Sequence, residues 1–231
     1  MFPWQQIDTV LLDMDGTLLD LHFDNYFWLS LVPETLSRQL HISHEAARQR
    51  VHDAYLRVEG TLNWYCLDYW QQELQLDILA LHHTIADKIR LRQDTLPLLH
   101  RLQQAGKRRI LLTNAHPDNL RLKLQHTQLQ RHLDDMLSSH QLGVPKESPL
   151  FWQQVFARFG LSPERCLFVD DNERILTAAQ EAGVRYLLGV SNPDSSQPPK
   201  RFSRFPATDD YRQLTRGLLP HMASEALFTP C

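Results

Sequence analysis

The sequence predicts an α/β fold in which helices cover both faces of a parallel sheet, with a long helical insert after the first strand. Three observations predict this fold. Several short apolar runs are continuous, which is typical of strands buried on both faces. Helical segments that stop at glycine alternate with these runs. The stretch 21–92 has no clear strand and shows helical apolar spacing instead.

Four apolar runs are the predicted strands, and a less regular run is a fifth. Val, Ile and Leu dominate these runs, and each is short enough for a strand. The four strands are VLL at 10–12, ILL at 110–112, CLFV at 166–169 and VRYLLGV at 184–190. The fifth is DMLSS, around 135–139.

The predicted helices divide the chain into a core and an insert. Core helices are expected before Gly106, Gly160 and Gly183, where a left-handed residue can end a helix. Within the insert, HEAARQRVHDAYLRV, NWYCLDYWQQELQL and ILALHHTIADKIRL have helical spacing. The predicted organisation is an α/β core of 1–20 with 93–220, a helical module of 21–92 and a flexible tail of 221–231.

Composition excludes several classes of function. The 231 residues carry a formal charge of −3 and are 42% hydrophobic, so no broad basic field is available for nucleic acid or for anionic lipid. Neither a signal peptide nor a membrane-spanning run is expected. Three cysteines without C-x-x-C spacing favour a reducing compartment, so the cytoplasm is the expected location. The oligomeric state is left open.

Polar residues follow three of the predicted strands. Because ligands bind at the carboxyl ends of the strands in open α/β sheets, these residues are expected to meet in one crevice. Converging carboxylates repel one another unless a cation lies between them, and such a cluster of oxygen ligands suits Mg²⁺. The residues are Asp13 and Asp15, then Thr113 and Asn114, and finally Asp170 and Asp171.

The first of these groups suggests phosphoryl transfer. A carboxylate such as Asp13 can attack phosphorus and form an aspartyl-phosphate. Asp15 is placed to protonate the leaving oxygen and later to deprotonate water. Gly16 permits a sharp turn close to the phosphoryl group, and Thr17 is expected to hydrogen-bond Asp15.

Lys146, Thr113 and Asn114 are the expected partners of the phosphoryl oxygens. Each piece has a simpler interpretation when taken alone. Asp-x-Asp-Gly is often a turn, Thr-Asn after a strand often caps a helix, and a lone lysine before a helix is usually solvated. The complete set, in order and at strand ends, favours a catalytic site.

Four segments resemble the motifs of the haloacid dehalogenase superfamily, and the match covers nearly the whole chain. They are VLLDMDGT, ILLTN, Lys146 within GVPKESPLF, and LFVDDN. The resemblance implies a Rossmann-like core and Mg²⁺, with Asp13 as nucleophile and Asp15 as acid/base. The long interval between the first two motifs implies an inserted α-helical cap of the C1 type.

The resemblance also implies the metal ligands and the reaction. The ligands would be the Asp13 carboxylate, the Asp15 carbonyl and the pair Asp170 and Asp171, with Asp171 favoured as the direct ligand and the reverse order left open. The dehalogenase branch lacks the second acid, so Asp15 favours a phosphatase, with phosphomutase as an alternative. Four further segments resemble bacterial purine nucleotidases of the GMP/IMP type: DNYFWLSLVPET, TLNWYCLDYW, LLTNAHPDNL and GVSNPDS.

Substrate selection is assigned to the aromatic segment NWYCLDYW, residues 63–70. A base could stack on one of its rings, or the rings could pack the insert's own helices. The expected substrate contacts from this segment are Asn63, Trp64, Tyr65 and Asp68.

Two interpretations of His116 stay open, namely a donor to the substrate and a cap for the helix that Pro117 opens. His41, His44, His82 and His83 show no metal-ligand spacing and are expected on the surface.

The predicted function is therefore Mg²⁺-dependent hydrolysis of a small phosphate ester, with purine nucleoside 5′-monophosphates as the expected substrates. Sugar phosphates are an alternative substrate class. Outside enzymes, a phospho-accepting receiver uses similar residues but needs no large insert, and a partner-binding module would not need the full set of catalytic side chains.

Overall fold

The computed structural model describes residues 2–218, and the predicted tail 221–231 lies outside them. Six parallel strands form one sheet in the order β3-β2-β1-β4-β5-β6. They are β1 (Thr9–Leu12), β2 (Arg108–Thr113), β3 (Asp135–Ser138), β4 (Cys166–Asp170), β5 (Tyr186–Val190) and β6 (Ala207–Thr208). The α/β prediction is confirmed. Sequence analysis missed β6, because two residues at a sheet edge carry no recognisable pattern.

Strand register brings the polar strand ends to one edge of the sheet. Leu12 of β1 pairs with Leu111 of β2 on one side and with Val169 of β4 on the other. All three strands run in the same direction, so the residues that follow these positions emerge at the same carboxyl edge. Asp13 and Asp170 therefore lie beside each other at the centre of the sheet.

The two faces of the sheet belong to separate apolar clusters. Leu11 packs with Trp152 and Phe168 in one cluster, whereas Val10 and Leu12 belong to the other. Successive side chains of a strand point to opposite faces, which explains why the β1 run must be apolar at every position.

Four helices lie between strands of the core, and a short fifth helix follows β6. Their bounds are α6 (Thr95–Gln104), α7 (Pro117–Thr127), α8 (Pro149–Phe159), α9 (Glu173–Glu181) and α10 (Tyr211–Leu214). Ser148 caps α8 by accepting the Leu150 N–H, and Gly160 ends this helix with φ +62°. Among residues 2–218, none of the helices combines the length and apolarity that a bilayer crossing requires.

Within the described chain, all elements between β1 and β2 are helical. Besides α6, they are α1 (His22–Tyr26), a π-helical segment (Phe27–Leu31), α2 (Val32–Leu40), α3 (His44–Val58), a 3₁₀ turn (Leu62–Tyr65), α4 (Leu67–Leu74), α5 (Ile78–Thr84) and a second 3₁₀ turn (Ala86–Lys88). Helix α3 spans the segment HEAARQRVHDAYLRV from end to end. The segment NWYCLDYWQQELQL is broken at Cys66, whose extended backbone separates the turn from α4.

An aromatic cluster holds the insert together. Trp70 is 1% exposed, and its ring centroid lies 5.3 Å from that of Trp28, 4.9 Å from that of Tyr55 and 5.1 Å from that of Tyr69. The contacts with Tyr55 and Tyr69 are edge-on, a packing that stabilises a helical core beyond the area it buries. Tyr69 and Trp70 are therefore structural residues of the insert.

The expectation that His82 lies on the surface is wrong. This side chain on α5 is completely buried, with ring centroids 3.8 Å from Phe27 and 5.4 Å from Phe23. Neither ring nitrogen has a hydrogen-bond partner among the described residues. Burial lowers the pKa of His82 to about 3, and the nearby charges of Lys123 and His83 lower it further. His82 therefore stays neutral in the folded protein at physiological pH.

We predict that His82 makes the folded protein sensitive to acid. Between the unfolded pKa of about 6.5 and the folded pKa of about 3, only the unfolded state binds the proton, so stability falls as pH falls. Going from pH 7.5 to pH 5 should cost about 2 kcal/mol through this residue. Urea unfolding of His82→Leu at both pH values should show that much less loss than wild type.

His83→Gln is the matched control, because His83 is the exposed neighbour on the same helix. Equal pH sensitivity of wild type and His82→Leu would show that His82 does not titrate between the two states.

Candidate active site

A cavity of about 310 Å³ opens at the carboxyl edge of the sheet, beneath the helical insert. Its wall contains seven of the residues predicted from strand ends and loops: Asp13, Asp15, Thr113, Asn114, Lys146, Asp170 and Asp171. The insert contributes Asp24, Trp28, Trp64, Tyr65 and Leu67. One crevice therefore contains the acids, the lysine and the aromatic side chains.

Lys146 joins two of the carboxylates. Its ammonium Nζ donates to Asp13 Oδ1 at 2.5 Å, to Asp170 Oδ2 at 2.8 Å and to the Leu112 carbonyl at 3.2 Å. The side chains of Lys146, Asp13 and Asp170 are all almost fully buried. These contacts use every proton of the ammonium, so Lys146 is held in one position at the centre of the site.

Burial and charge act in opposite directions in this cluster. Burial raises the pKa of Asp13, Lys146 opposes that rise, and Asp170 reinforces it. Burial alone would lower the pKa of Lys146, but its contacts with Asp13 and Asp170 raise that pKa above its ordinary value. Lys146 is therefore protonated, and its charge favours an ionised Asp13.

Three carboxylates are close enough to share a cation. One oxygen each of Asp13, Asp170 and Asp171 lies within 4.8 Å of the others. Asp170 Oδ1 accepts the Asn172 N–H at 2.8 Å while its Oδ2 accepts from Lys146, so both of its oxygens are engaged. Asp171 Oδ2 accepts from the half-exposed Lys200 at 2.8 Å. The donors are all hard oxygens, as a divalent cation of the Mg²⁺ type prefers.

Lys123, rather than Thr17, holds Asp15. Lys123 Nζ donates to Asp15 Oδ1 at 2.6 Å and to both oxygens of Asp24 at 2.7 and 2.8 Å. The expected hydrogen bond from Thr17 is absent, since its buried hydroxyl has no partner within the described residues. Burial raises the pKa of Asp24 to about 7, with Asp15 adding to the rise. Lys123 engages only one oxygen of Asp15.

Asn114 orients the loop that carries Lys146. Its Oδ1 accepts the Lys146 N–H at 2.9 Å, and its Nδ2 donates to Glu147 Oε2 at 3.0 Å. Thr113 Oγ1 accepts the Ala115 N–H at 3.0 Å, which leaves the hydroxyl proton available to a ligand. The Asn114 side chain thus has a positioning role whatever else it contacts.

Part of the aromatic segment 63–70 lines the cavity, and part packs inside the insert. Trp64 and Tyr65 line the cavity, and Trp64 also packs 5.3 Å from Tyr55. The Tyr65 hydroxyl donates to Glu147 Oε1 at 2.8 Å, which links the insert to the core. Asn63 and Asp68 are exposed and do not line the cavity.

His116 caps a helix and also lines the cavity. It is the N-cap residue of α7, and its Nδ1 accepts the Asp118 N–H at 3.3 Å. The same ring lines the cavity, and its Nε2 lies 3.7 Å from Asp68 Oδ2.

Comparison with known proteins identifies the family. Residues 7–183 match the family model of haloacid dehalogenase-like hydrolases. The chain belongs to this hydrolase family. It is similar to GMP/IMP nucleotidase YrfG of Escherichia coli (strain K12), with 52% identity over 216 residues that cover 94% of this chain and 97% of the relative.

More distant relatives share the fold of this hydrolase. A solved HAD phosphatase from Thermococcus onnurineus has a TM-score of 0.78 and 23% identity, covering 93% of this chain and 100% of that one. The L-2-haloacid dehalogenase from Xanthobacter autotrophicus has a TM-score of 0.62 and 18% identity, covering 92% and 100%. The architecture thus serves more than one reaction, and the site residues must decide between them.

Four residues around the site of the hydrolase were not predicted from the sequence: Asp24, Lys123, Glu147 and Lys200. Lys123 carries no sequence signal, because its burial beside Asn119 and Leu122 on α7 is seen only in the structure. A buried lysine of this kind needs acids as partners. Lys200 lies in a segment rich in Pro and Ser, where no periodicity indicates its direction.

We predict that Gly16→Ala disturbs the hydrolase by displacing Asp171. Gly16 has φ +81°, and an added Cβ would lie 2.8 Å from Asp171 Cγ. The carboxylate must shift, so the Mg²⁺ concentration for half-maximal activity should rise at least about 10-fold, as for a disturbed metal ligand. Measuring activity against Mg²⁺ concentration checks this.

Gly160→Ala is a matched control. Gly160 also has a positive φ, +62°, but an added Cβ would meet nothing within 4 Å. It should lose stability from backbone strain and keep the Mg²⁺ requirement of wild type. Equal Mg²⁺ requirements in the two variants would contradict the proposed contact with Asp171.

Proposed function

We propose that the chain is an Mg²⁺-dependent phosphomonoesterase that hydrolyses purine nucleoside 5′-monophosphates such as GMP and IMP. The observation that carries this proposal is the 52% identity to a GMP/IMP nucleotidase over 94% of the chain. The geometry agrees with it, because a buried carboxylate next to an ammonium and a second acid two residues away suit a phosphoryl transfer with an alcohol as leaving group.

The charges around the cavity support a divalent cation. Five carboxylates, of Asp13, Asp15, Asp24, Asp170 and Asp171, face three ammonium groups, of Lys123, Lys146 and Lys200. When all are ionised, two negative charges remain, and one remains while Asp15 holds the proton that it donates, so a divalent cation offsets the excess. Asp13, Asp170 and Asp171 would hold the ion together with the Asp15 carbonyl. The bound ion would lower the repulsion between the site and an anionic phosphate.

Asp13 is the nucleophile in the proposed first step. One of its carboxylate oxygens forms a bond to phosphorus while the bond between phosphorus and the ester oxygen breaks. Asp15 gives its proton to the departing 5′-oxygen, so the nucleoside leaves as a neutral alcohol. Lys146 and the Thr113 hydroxyl stabilise the charge that develops on the phosphoryl oxygens.

Water completes the cycle in the second step. Asp15 takes a proton from a water molecule, whose oxygen attacks the phosphorus of the aspartyl-phosphate. The bond between phosphorus and the Asp13 oxygen breaks, and inorganic phosphate leaves. Asp13 is a carboxylate again and Asp15 is protonated again, so both acids return to their starting forms.

Base recognition is assigned to the insert. We propose that a purine ring lies against Trp64 and Tyr65, two aromatic residues that line the cavity. His116 also lines the cavity and is a candidate donor to the substrate. Asn63 and Asp68 remain predicted contacts that would require the insert to move toward the ligand.

The test is release of phosphate from a panel of substrates. The panel contains GMP, IMP, AMP, UMP, guanosine 3′-monophosphate and glucose 6-phosphate, each with Mg²⁺ or with a chelator. We expect the highest kcat/KM for GMP and IMP and no turnover without Mg²⁺. A preference for sugar phosphates would replace the proposed substrate class, and a single phosphorylation without turnover would indicate a receiver.

A further inference from the structure

A second group of side chains that could hold a metal ion lies beside the catalytic cavity, and of its three members only His116 also lines that cavity. Cys66, His116 and His140 each offer a ligand atom, and these three atoms lie within 4.8 Å of one another. The two imidazole rings are 5.0 Å apart and nearly perpendicular. Sequence analysis gave no indication of this cluster, because the three residues come from distant parts of the chain.

The three side chains have nitrogen and sulfur atoms available for a ligand. Cys66 is a free thiol of intermediate exposure. The Nε2 atom of His140 is buried and has no hydrogen-bond partner in the described part of the chain. His116 uses Nδ1 to cap its helix, so its Nε2 remains, 3.7 Å from a carboxylate oxygen of Asp68. Asp68 is 78% exposed and can move to supply a fourth ligand.

The three ligand atoms, within 4.8 Å of one another, need only a small approach to surround a tetrahedral transition metal ion. Ligand bonds of about 2.0 Å to nitrogen and 2.3 Å to sulfur place the ligand atoms of such a site about 3.3 to 3.6 Å apart. Small rotations of three partly exposed side chains can close the remaining difference. A thiolate with two imidazoles favours Zn²⁺ or Co²⁺, whereas Mg²⁺ prefers the oxygen cluster formed by Asp13, Asp170 and Asp171.

We propose that Cys66, His116 and His140 form a site for a Zn²⁺-class transition metal ion that fastens the helical insert to the core. Cys66 immediately precedes α4 of the insert, whereas His116 precedes α7 and His140 follows β3. A metal bound to all three bridges the two parts at the rim of the cavity. The thiol of Cys66 loses its proton to solvent when the metal ion binds.

The bridge would restrict access to the active site. Tyr65, next to Cys66, lines the cavity and already contacts Glu147 of the core. Fixing Cys66 to two core histidines would therefore hold this wall of the cavity in the position that the structure shows. Exchange of substrate and product should slow, which makes the site an inhibitory one.

Spectroscopy with Co²⁺ tests binding independently of activity. The full chain is freed of metal with a chelator, supplied with excess Mg²⁺ to occupy the oxygen site, and titrated with Co²⁺ under reducing conditions. We expect a thiolate-to-cobalt charge-transfer band and intense visible bands of tetrahedral Co²⁺ that saturate at one ion per chain. Zn²⁺ should abolish these bands by displacement.

Variants assign the ligands. Cys66→Ala and His140→Gln should weaken Co²⁺ binding at least about 100-fold, with loss of the charge-transfer band in Cys66→Ala. The controls are Cys166→Ala, which removes a buried strand cysteine, and His44→Gln, which removes an exposed histidine of α3; both should bind as wild type does. Absence of the band from wild type, or its survival in Cys66→Ala, would overturn the proposal.

An activity measurement tests the effect on catalysis, and this part rests on the proposed phosphatase function. At saturating Mg²⁺, one equivalent of Zn²⁺ should lower wild-type turnover at least about 10-fold if product release becomes limiting. Cys66→Ala should resist this concentration of Zn²⁺. Equal inhibition of both proteins would place the inhibition at the oxygen cluster and overturn the inhibitory role of the Cys66 site. Lack of any phosphatase activity would count against the proposed function alone.

Discussion

Asp13→Asn is expected to lower phosphate release from GMP or IMP at least about 10⁴-fold, as loss of a catalytic nucleophile commonly does. Asn is similar in size, so the hydrogen bond from Lys146 can persist while the nucleophilic carboxylate is lost. The variant also loses one of the three clustered carboxylates. Initial rates at saturating Mg²⁺ measure the effect, and circular dichroism checks that the fold is kept.

A second measurement separates the nucleophile from the metal ligand. Rapid acid quenching during turnover should trap phosphate on wild-type protein in a form that hydroxylamine releases, as expected of an acyl phosphate. Asp13→Asn should trap none. Asp135→Asn is the control, because Asp135 is a half-buried β3 carboxylate paired with Arg108 outside the cavity, and it should behave as wild type does. Normal trapping in Asp13→Asn would exclude Asp13 as the nucleophile.

Lys146→Met should destabilise the protein and also impair catalysis. It leaves Asp13 and Asp170 buried together without the ammonium that now contacts both. Removing one partner of a buried ion pair costs about 3 to 5 kcal/mol, and losing a charge that stabilises the transition state lowers kcat about 10²- to 10³-fold. Urea unfolding in the presence of a chelator and steady-state kinetics measure the two effects.

The loss of stability should depend on Mg²⁺. An ion bound between the same carboxylates replaces part of the missing positive charge, so Mg²⁺ should stabilise Lys146→Met more than wild type. Lys88→Met is the control, since Lys88 lies over the Tyr26 ring at 4.6 Å and its loss should cost about 1 kcal/mol or less. If Mg²⁺ stabilised wild type and Lys146→Met equally, the ion would not be replacing the charge of Lys146 between these carboxylates.

These expectations depend on a site that is largely predictable from local sequence. Asp13, Thr113 and Asp170 follow apolar runs, and parallel strands deliver their carboxyl ends to one edge. Lys146 was predicted from its motif, and the structure gives it contacts to both acids. In each case a short segment contains both the strand pattern and the polar residue, so the inference needs no knowledge of distant contacts.

Side-chain partners were harder to predict when they depend on how helices pack. Thr17 lies two residues after Asp15 in the same motif, yet Lys123 of α7 is the residue that holds this acid. His82 was expected at the surface, but α5 turns it toward Phe23 and Phe27. Helical periodicity shows which residues share a face without showing what that face meets.

The sequence by itself determined the parallel sheet, the order of the strand-end motifs and the type of chemistry, because strand burial and strand-end placement follow from local patterns. Only the tertiary structure decided which rings line the cavity, which lysine holds Asp15 and that Cys66 meets His116 and His140. All of these contacts are between residues that are well separated in the sequence. They depend on the relative placement of elements far apart in the chain, about which local periodicity carries no information.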